Sequence, residues 1–282
     1  MRLHGCKGRI GKVHRVPQAP GDGSPPQERD RLVGTGRFPS DHRGQRQLAV
    51  NIEWVGHACF RIWRDGGPVI VTDPFSPTRL GLPAGPAIQG DLAIVSSLDD
   101  PAHGDPGLIH GAPEVINALD LVRDNRRVEV DGNPLIPLGA AESPIHESGS
   151  PKDNALYAFK VEDLWILHLG DLGYGPSPAE LSVFEGKCDV LLAIAGQANT
   201  LTLEELSRLI DQLRPRWIIP MHYLLWWPSR MRPLGDFLKT RPTDPLIHTR
   251  STTVRLSSGP AGWKKPAILV LEASADPGRH QC

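Results

Sequence analysis

Cysteine is scarce and scattered in this 282-residue chain. It has four, Cys6, Cys59, Cys188 and Cys282, and none is in Cys-x-x-Cys spacing. That excludes a disulfide frame and a cysteine-type zinc site, and it fits a reducing cytoplasm. No uninterrupted apolar run reaches the roughly 20 residues that span a bilayer as a helix, and the N-terminal region holds no apolar stretch of the kind a signal peptide uses. No repeat of fixed period is visible. The expectation is a cytoplasmic protein with no membrane partner.

What is present is ordinary globular composition, 39% hydrophobic and 22% charged, enough for a sizeable core. The net charge of −1 hides an asymmetry. Residues 1–48 hold ten Lys/Arg against four Asp/Glu, a local +6, which leaves −7 for the remainder. The first 48 residues, rich in Gly, Pro, Arg and Gln, read as a disordered basic tail. They carry no interleaved aromatics and no helical apolar period, and the rest is mildly acidic, so nucleic-acid substrates are disfavoured. The expected organisation is a tail over 1–48, one domain over 49–275 and a short C-terminal tail over 276–282. Nothing in the sequence sets the oligomeric state.

Within the domain, Ile52–Val55, Ala58–Trp63 and Val69–Thr72 read as strands of an antiparallel meander, the last two joined by the Asp65-Gly66-Gly67 turn. Asp91–Ser96 is a compact apolar run that predicts a buried strand, and Pro113–Val122 has helical spacing with Pro at its start. Two hairpins follow, Val128–Val130 with Leu135–Leu138 about Asp131-Gly132-Asn133, and Ala155–Val161 with Leu164–Leu169 about Glu162-Asp163. Ser177-Pro178-Ala179-Glu180 and Thr202-Leu203-Glu204-Glu205 are capping boxes that start helices. The second helix carries the stripe Leu203, Leu206, Leu209, Ile210 and Leu213 and must stop before Pro215. Val190–Ala195, Arg216–Ile219 and Ile268–Glu272 complete the strands. A β-rich first half followed by alternating strands and helices predicts an α/β fold of two sheets with helices outside them.

The residues with ligand chemistry cluster in polar stretches just after or between those strands. Asp100 and His103 stand three positions apart in Val95–Gly104, an apolar strand ending in a Pro- and Gly-containing loop. His146, Asp171 and His222 stand in similar contexts. Imidazole nitrogens and carboxylate oxygens converging from several strand-end loops are what a divalent cation requires. His168, inside an apolar strand, reads as a satisfied core histidine, and Asp73 before Pro74 as a turn or supporting carboxylate. Trp226 and Trp227 fit a pocket wall or sandwich packing equally well.

Four motifs appear in order: Ile52-Glu53-Trp54-Val55-Gly56-His57-Ala58-Cys59-Phe60, Val71-Thr72-Asp73-Pro74, His168-Leu169-Gly170-Asp171 and Ile219-Pro220-Met221-His222-Tyr223. Together they resemble the metallo-β-lactamase-fold hydrolases, particularly the L-ascorbate-6-phosphate-lactonase-like branch, over about residues 49–273. The resemblance implies a four-layer αβ/βα sandwich with a one- or two-metal site at one edge of the facing sheets. The family hallmark, His-x-His-x-Asp-His, aligns with Leu98-Asp99-Asp100-Pro101-Ala102-His103, where only the final His matches. Leu98 and Asp100 stand at the first two His positions and Ala102 at the Asp.

By the same resemblance, His146, Asp171 and His222 match family ligands, with Asp171 the bridging carboxylate and Asp100 a replacement ligand, and His57 faces the site as a substrate contact, with a structural hydrogen bond the equal alternative. One divalent cation on His103, Asp171 and His222 is the economical reading, zinc ahead of manganese or iron. A second site would draw on His146, Asp171 and Asp100. The lost Asp at Ala102 removes a group that binds metal and orients water in the family, and Asp99, Asp100 or Glu147 could restore a carboxylate. With Asp100 and Asp171 as catalytic carboxylates, the implied activity is metal-dependent hydrolysis of a small-molecule ester, lactone or phosphodiester. The alternative is a catalytically degenerate sandwich that binds a small ligand or a protein partner.

Overall fold

The computed structural model describes residues 48–80, 87–99, 103–111, 113–142, 153–225, 230–258 and 264–274. Two mixed sheets organise them. The first holds β1 (Ala49–Gly56), β2 (Cys59–Arg64), β3 (Ile70–Thr72), β4 (Leu92–Val95) and β5 (Glu114–Asn117). The second holds β6 (Ile136–Ala140), β7 (Asn154–Val161), β8 (Leu164–His168), β9 (Val190–Ile194), β10 (Trp217–Met221) and β11 (Leu246–His248). A late strand, β12 (Thr253–Ser257), returns to the first sheet, and β13 (Ala267–Val270) to the second.

The strand orders are β12-β1-β2-β3-β4-β5 and β6-β7-β8-β9-β10-β13-β11. Each sheet begins as an antiparallel meander and becomes parallel, the first after β3 and the second after β8. The parallel strands β4, β9 and β10 are buried along their whole length. Continuous apolar runs without alternation are the pattern expected of strands covered on both faces. Inward residues of both sheets, among them Trp54, Phe60, Ile62, Tyr157, Phe159 and Ile166, belong to one core cluster.

Both capping boxes form as the sequence predicts. Ser177 opens the short helix Pro178–Leu181, and Thr202 opens the longer helix Leu203–Leu213, which buries Leu203, Leu206, Leu209 and Ile210. That helix ends at Arg214 in the left-handed conformation, one residue before Pro215. The turn between Val130 and Asn133 uses Asp131 at φ 49° and Gly132 at φ 75°. Positive φ at both central residues is the hairpin-compatible arrangement.

Three boundaries differ from the sequence reading. Glu114–Asn117 is a strand, pairing in parallel with β4, and only Ala118–Arg123 is helical. The open edge of β4 supplies hydrogen bonds that a helix would forgo, Val115 and Ile116 are β-branched, and the Asn117 side chain caps the helix by accepting from Leu119 N–H. The first hairpin pairs Glu129 with Pro134 and Val130 with Asn133, leaving Ile136–Ala140 free to pair with β7. Finally, β10 runs through Pro220 to Met221. It leaves β13 after Ile218 and stays paired only with β9, so Pro220 falls in a half-paired stretch where a missing N–H is tolerated.

Thr202 Oγ1 accepts from Glu205 N–H at 3.1 Å while Thr202 N–H donates to Glu205 Oε2 at 2.8 Å. Thr202→Ala is expected to lower folding stability by about 1 kcal/mol, read from urea unfolding curves with an unchanged slope.

Candidate metal centre

The candidate site lies at the ends of strands from both sheets, and tight turns present its side chains. His57 occupies the turn joining β1 and β2 at φ 52°, after Gly56 at φ 144°, where the ladder shifts register between Trp54 and Gly56. Its carbonyl accepts from His222 N–H at 3.0 Å and from the buried Trp54 Nε1 at 3.1 Å. Tyr223 packs on the Trp54 ring, 5.1 Å between centroids.

His103 follows β4. A Cβ at the next residue, Gly104, would lie 2.0 Å from the Ser97 carbonyl oxygen, so the loop folds back on itself only because this position is glycine. Asp171 follows β8 and Gly170, whose φ is 57°. A side chain at Gly170 would collide with Asn154 Oδ1, the atom that also accepts the Asp171 N–H at 3.2 Å. His222 follows β10 at φ 53°. Left-handed backbone at non-glycine residues is costly and concentrates where function holds it in place.

These turns bring three imidazoles together. One ring nitrogen from each of His57, His103 and His222 lies within 4.8 Å of the others. The rings of His57 and His222 meet edge to face at 4.2 Å, and His57 and His103 are 4.6 Å apart. Asp171 stands beside them, Oδ2 at 3.9 Å from His103 Nδ1 and Oδ1 at 3.7 Å from His222 Nε2. All three histidines are buried, and Phe75 lies 5.6 Å from the His57 ring.

Burial holds His57 well below the ordinary imidazole pKa, and His222 and His103 push it the same way. It is therefore neutral at pH 7, the form that ligates metal. His57 Nδ1 is buried and makes no hydrogen bond. A buried polar atom without a partner calls for an explanation. Three converging imidazoles with a carboxylate alongside form a donor set suited to zinc or a similar divalent cation, so the residues fit the group that the sequence implies.

The structure thus brings together His103, Asp171 and His222, and adds His57, read from sequence as a substrate contact. The signal for His57 was its place after Gly56 at a strand end. Asp100, His146, Glu147, Trp226 and Trp227 lie outside the described residues. Asp99, weighed as a replacement carboxylate, is exposed and bonds Arg123 Nη2 at 3.0 Å. Leu98 is 41% exposed. His168 and Asp73 are fully buried and do not join the imidazole cluster. Asp73 instead accepts from Ser96 N–H (2.8 Å), Ser96 Oγ–H (2.7 Å) and Tyr157 O–H (2.9 Å). Tyr157 carried no sequence signal beyond its apolar strand.

Residues 51–222 match the family described as the β-lactamase superfamily domain. The chain belongs to the metallo-β-lactamase superfamily. Among relatives in this superfamily, a UPF0173 metal-dependent hydrolase of Pyrococcus horikoshii is 27% identical over 205 residues, covering 65% of this chain and 89% of its own. A UPF0173 protein of Pyrococcus furiosus is 28% identical over 185 residues, covering 62% and 83%. A crystal structure from Thermotoga maritima, a proposed zinc-dependent hydrolase of the same superfamily, matches with a TM-score of 0.57 and 27% identity over 79% of this chain and all of that one. A metallo hydrolase of Ignicoccus hospitalis shares the fold at a TM-score of 0.55 and 18% identity, over 75% of this chain and 100% of its own.

Burial also pushes the His168 imidazole down, against an opposing pull from Asp73. His57 and His168 therefore bind protons less readily folded than unfolded. Their contribution to stability is complete above the unfolded value of 6.5 and is lost as pH falls below it toward the folded values. In chelator, the thermal midpoint is expected to be level above about pH 7 and to fall toward pH 5, and His57→Gln should flatten that fall. An unchanged slope in His57→Gln would contradict the assignment.

Proposed function

We propose that this protein is a metal-dependent hydrolase of a small-molecule ester, lactone or phosphodiester. The observation that carries the reading is the convergence of His57, His103 and His222 beside Asp171, on loops from both sheets. One divalent cation, zinc ahead of manganese or iron, is held by His103, His222 and Asp171 with His57 as a further donor. When bound, such an ion polarises the scissile group and lowers the pKa of water toward neutrality.

The chain's own residues supply the rest. His57, kept neutral by its burial, presents a lone pair, and one ring nitrogen each of His103 and His222 converges on the same spot. Asp171 stands with Oδ2 3.9 Å from His103 Nδ1 and Oδ1 3.7 Å from His222 Nε2, close enough to share a cation with those nitrogens and to handle a proton during hydrolysis. Phe75 against His57 helps to exclude bulk water. With Ala102 at the family's Asp position and Asp99 committed to Arg123, the proton-handling role falls to Asp171, with Asp100 as the other candidate.

A second reading rests on Leu98, which is exposed where the family motif has a ligand: a degenerate sandwich of the lactonase-like branch that binds a small molecule or protein partner without turning it over.

Purified protein is expected to take up close to one equivalent of zinc by mass spectrometry, and chelation should abolish hydrolysis in a panel of esters, lactones and phosphodiesters. Asp171→Asn should lower turnover at least ~100-fold. Failure to bind zinc, manganese or iron at any concentration tested would sink the hydrolase reading. Activity that appears only after Leu98→His, Asp100→His and Ala102→Asp are combined would establish the degenerate one.

A further inference from the structure

His168 ends β8 and lies wholly inside the protein, yet its two nitrogens reach toward two different parts of the candidate site. Nδ1 is 2.9 Å from Gly170 N, and a backbone N–H can only donate, so Nδ1 must carry the lone pair. The ring hydrogen is then on Nε2, which donates to the Ala58 carbonyl at 2.8 Å. The neutral Nε2–H tautomer alone satisfies both contacts. The ring is fixed as well as bonded: Tyr157 stacks on it at 5.0 Å and 2°, and Phe60 meets it edge-on at 6.3 Å.

The partners of those bonds matter more than their number. Ala58 follows His57 in the first-sheet turn, and Gly170 precedes Asp171 in the second-sheet turn. Because His57 and Asp171 hang from different sheets, no strand ladder sets their separation. Consecutive carbonyls of the first-sheet turn are held from the second sheet, His57 O by His222 N–H and Ala58 O by His168 Nε2–H.

We propose that His168 is a positioning residue, a strut whose bonds to Ala58 and Gly170 fix the distance between His57 and Asp171 and so set the metal affinity of the centre. The part concerning metal rests on the hydrolase reading above; the strut itself does not. His168 touches neither substrate nor cation and acts through the two turns.

Three substitutions separate its two bonds. His168→Leu removes both. His168→Gln carries an amide N–H out to about the Nε2 position and keeps the Ala58 bond, while His168→Asn places an oxygen near Nδ1 and keeps the Gly170 bond. Zinc titration of the full chain, at a temperature where circular dichroism shows the variant folded, should give an affinity ~10- to 100-fold lower in His168→Leu. His168→Gln and His168→Asn should fall between it and the parent. Amide exchange read by NMR should rise at least ~10-fold at both Gly170 and His222 in His168→Leu. His168→Asn should keep Gly170 protected, and His168→Gln should keep His222 protected.

Phe184→Leu, in the core near the opposite ends of the parallel strands, controls for general destabilisation. It should lower the thermal midpoint and leave zinc affinity within about twofold. The proposal is overturned if folded His168→Leu binds zinc within about twofold of the parent with unchanged exchange at Gly170 and His222, or if Phe184→Leu weakens zinc binding as much. Should His168→Leu not fold, the Gln and Asn variants decide the matter by the same two readouts. A parent that takes up no metal refutes the hydrolase reading, and the exchange pattern still upholds or overturns the strut.

Discussion

A carboxylate sealed from solvent must find its hydrogen bonds inside the protein, and the site-bearing ends of both sheets are arranged around one that does. Asp73 accepts from the backbone and hydroxyl of Ser96, where β4 gives way to the His103 loop, and from the hydroxyl of Tyr157 on the second sheet. Leaving such a group unpartnered would cost several kcal/mol. The facing of Tyr157 toward Asp73 therefore ties the two sheets together at the depth where the histidines emerge. Burial and the Asp73 charge both push the Tyr157 phenol upward, so it remains a donor at any ordinary pH.

Local pattern made much of the fold legible. The two capping boxes announced their helices because each is a bond between residues three apart, and the meander of β1 to β3 could be read because alternation, turn glycines and short spacing are all local. Glu114–Asn117 was misread because its strand character comes from the waiting edge of β4, a neighbour that no window around residue 114 contains. The ligands read by spacing and resemblance were single residues on separate loops. Their convergence, and the inclusion of His57, depends on sheet-to-sheet contacts such as His222 N–H to His57 O. The Asp73–Tyr157 bond, 84 residues apart in the chain, lay beyond any motif.

The altered loop after β4 reads differently once Asp99 and Leu98 are placed. Both are exposed, Leu98 at the position aligned with the motif's first histidine, while the histidine cluster draws on the β1–β2 turn and the second sheet as well as on His103. The chemistry left is that of an imidazole-rich pocket with one adjacent carboxylate, which favours a borderline cation over a hard one.

The pairing of β1 with β12 places residues 49–53 against residues 253–257, and the carbonyl of His57 waits for the amide of His222. During synthesis on the ribosome, the first quarter of the domain therefore emerges with one sheet edge bare and its histidine turn unsupported. The three imidazoles cannot converge until His222 has left the exit tunnel, so the cluster is among the last features of the domain that a growing chain can assemble.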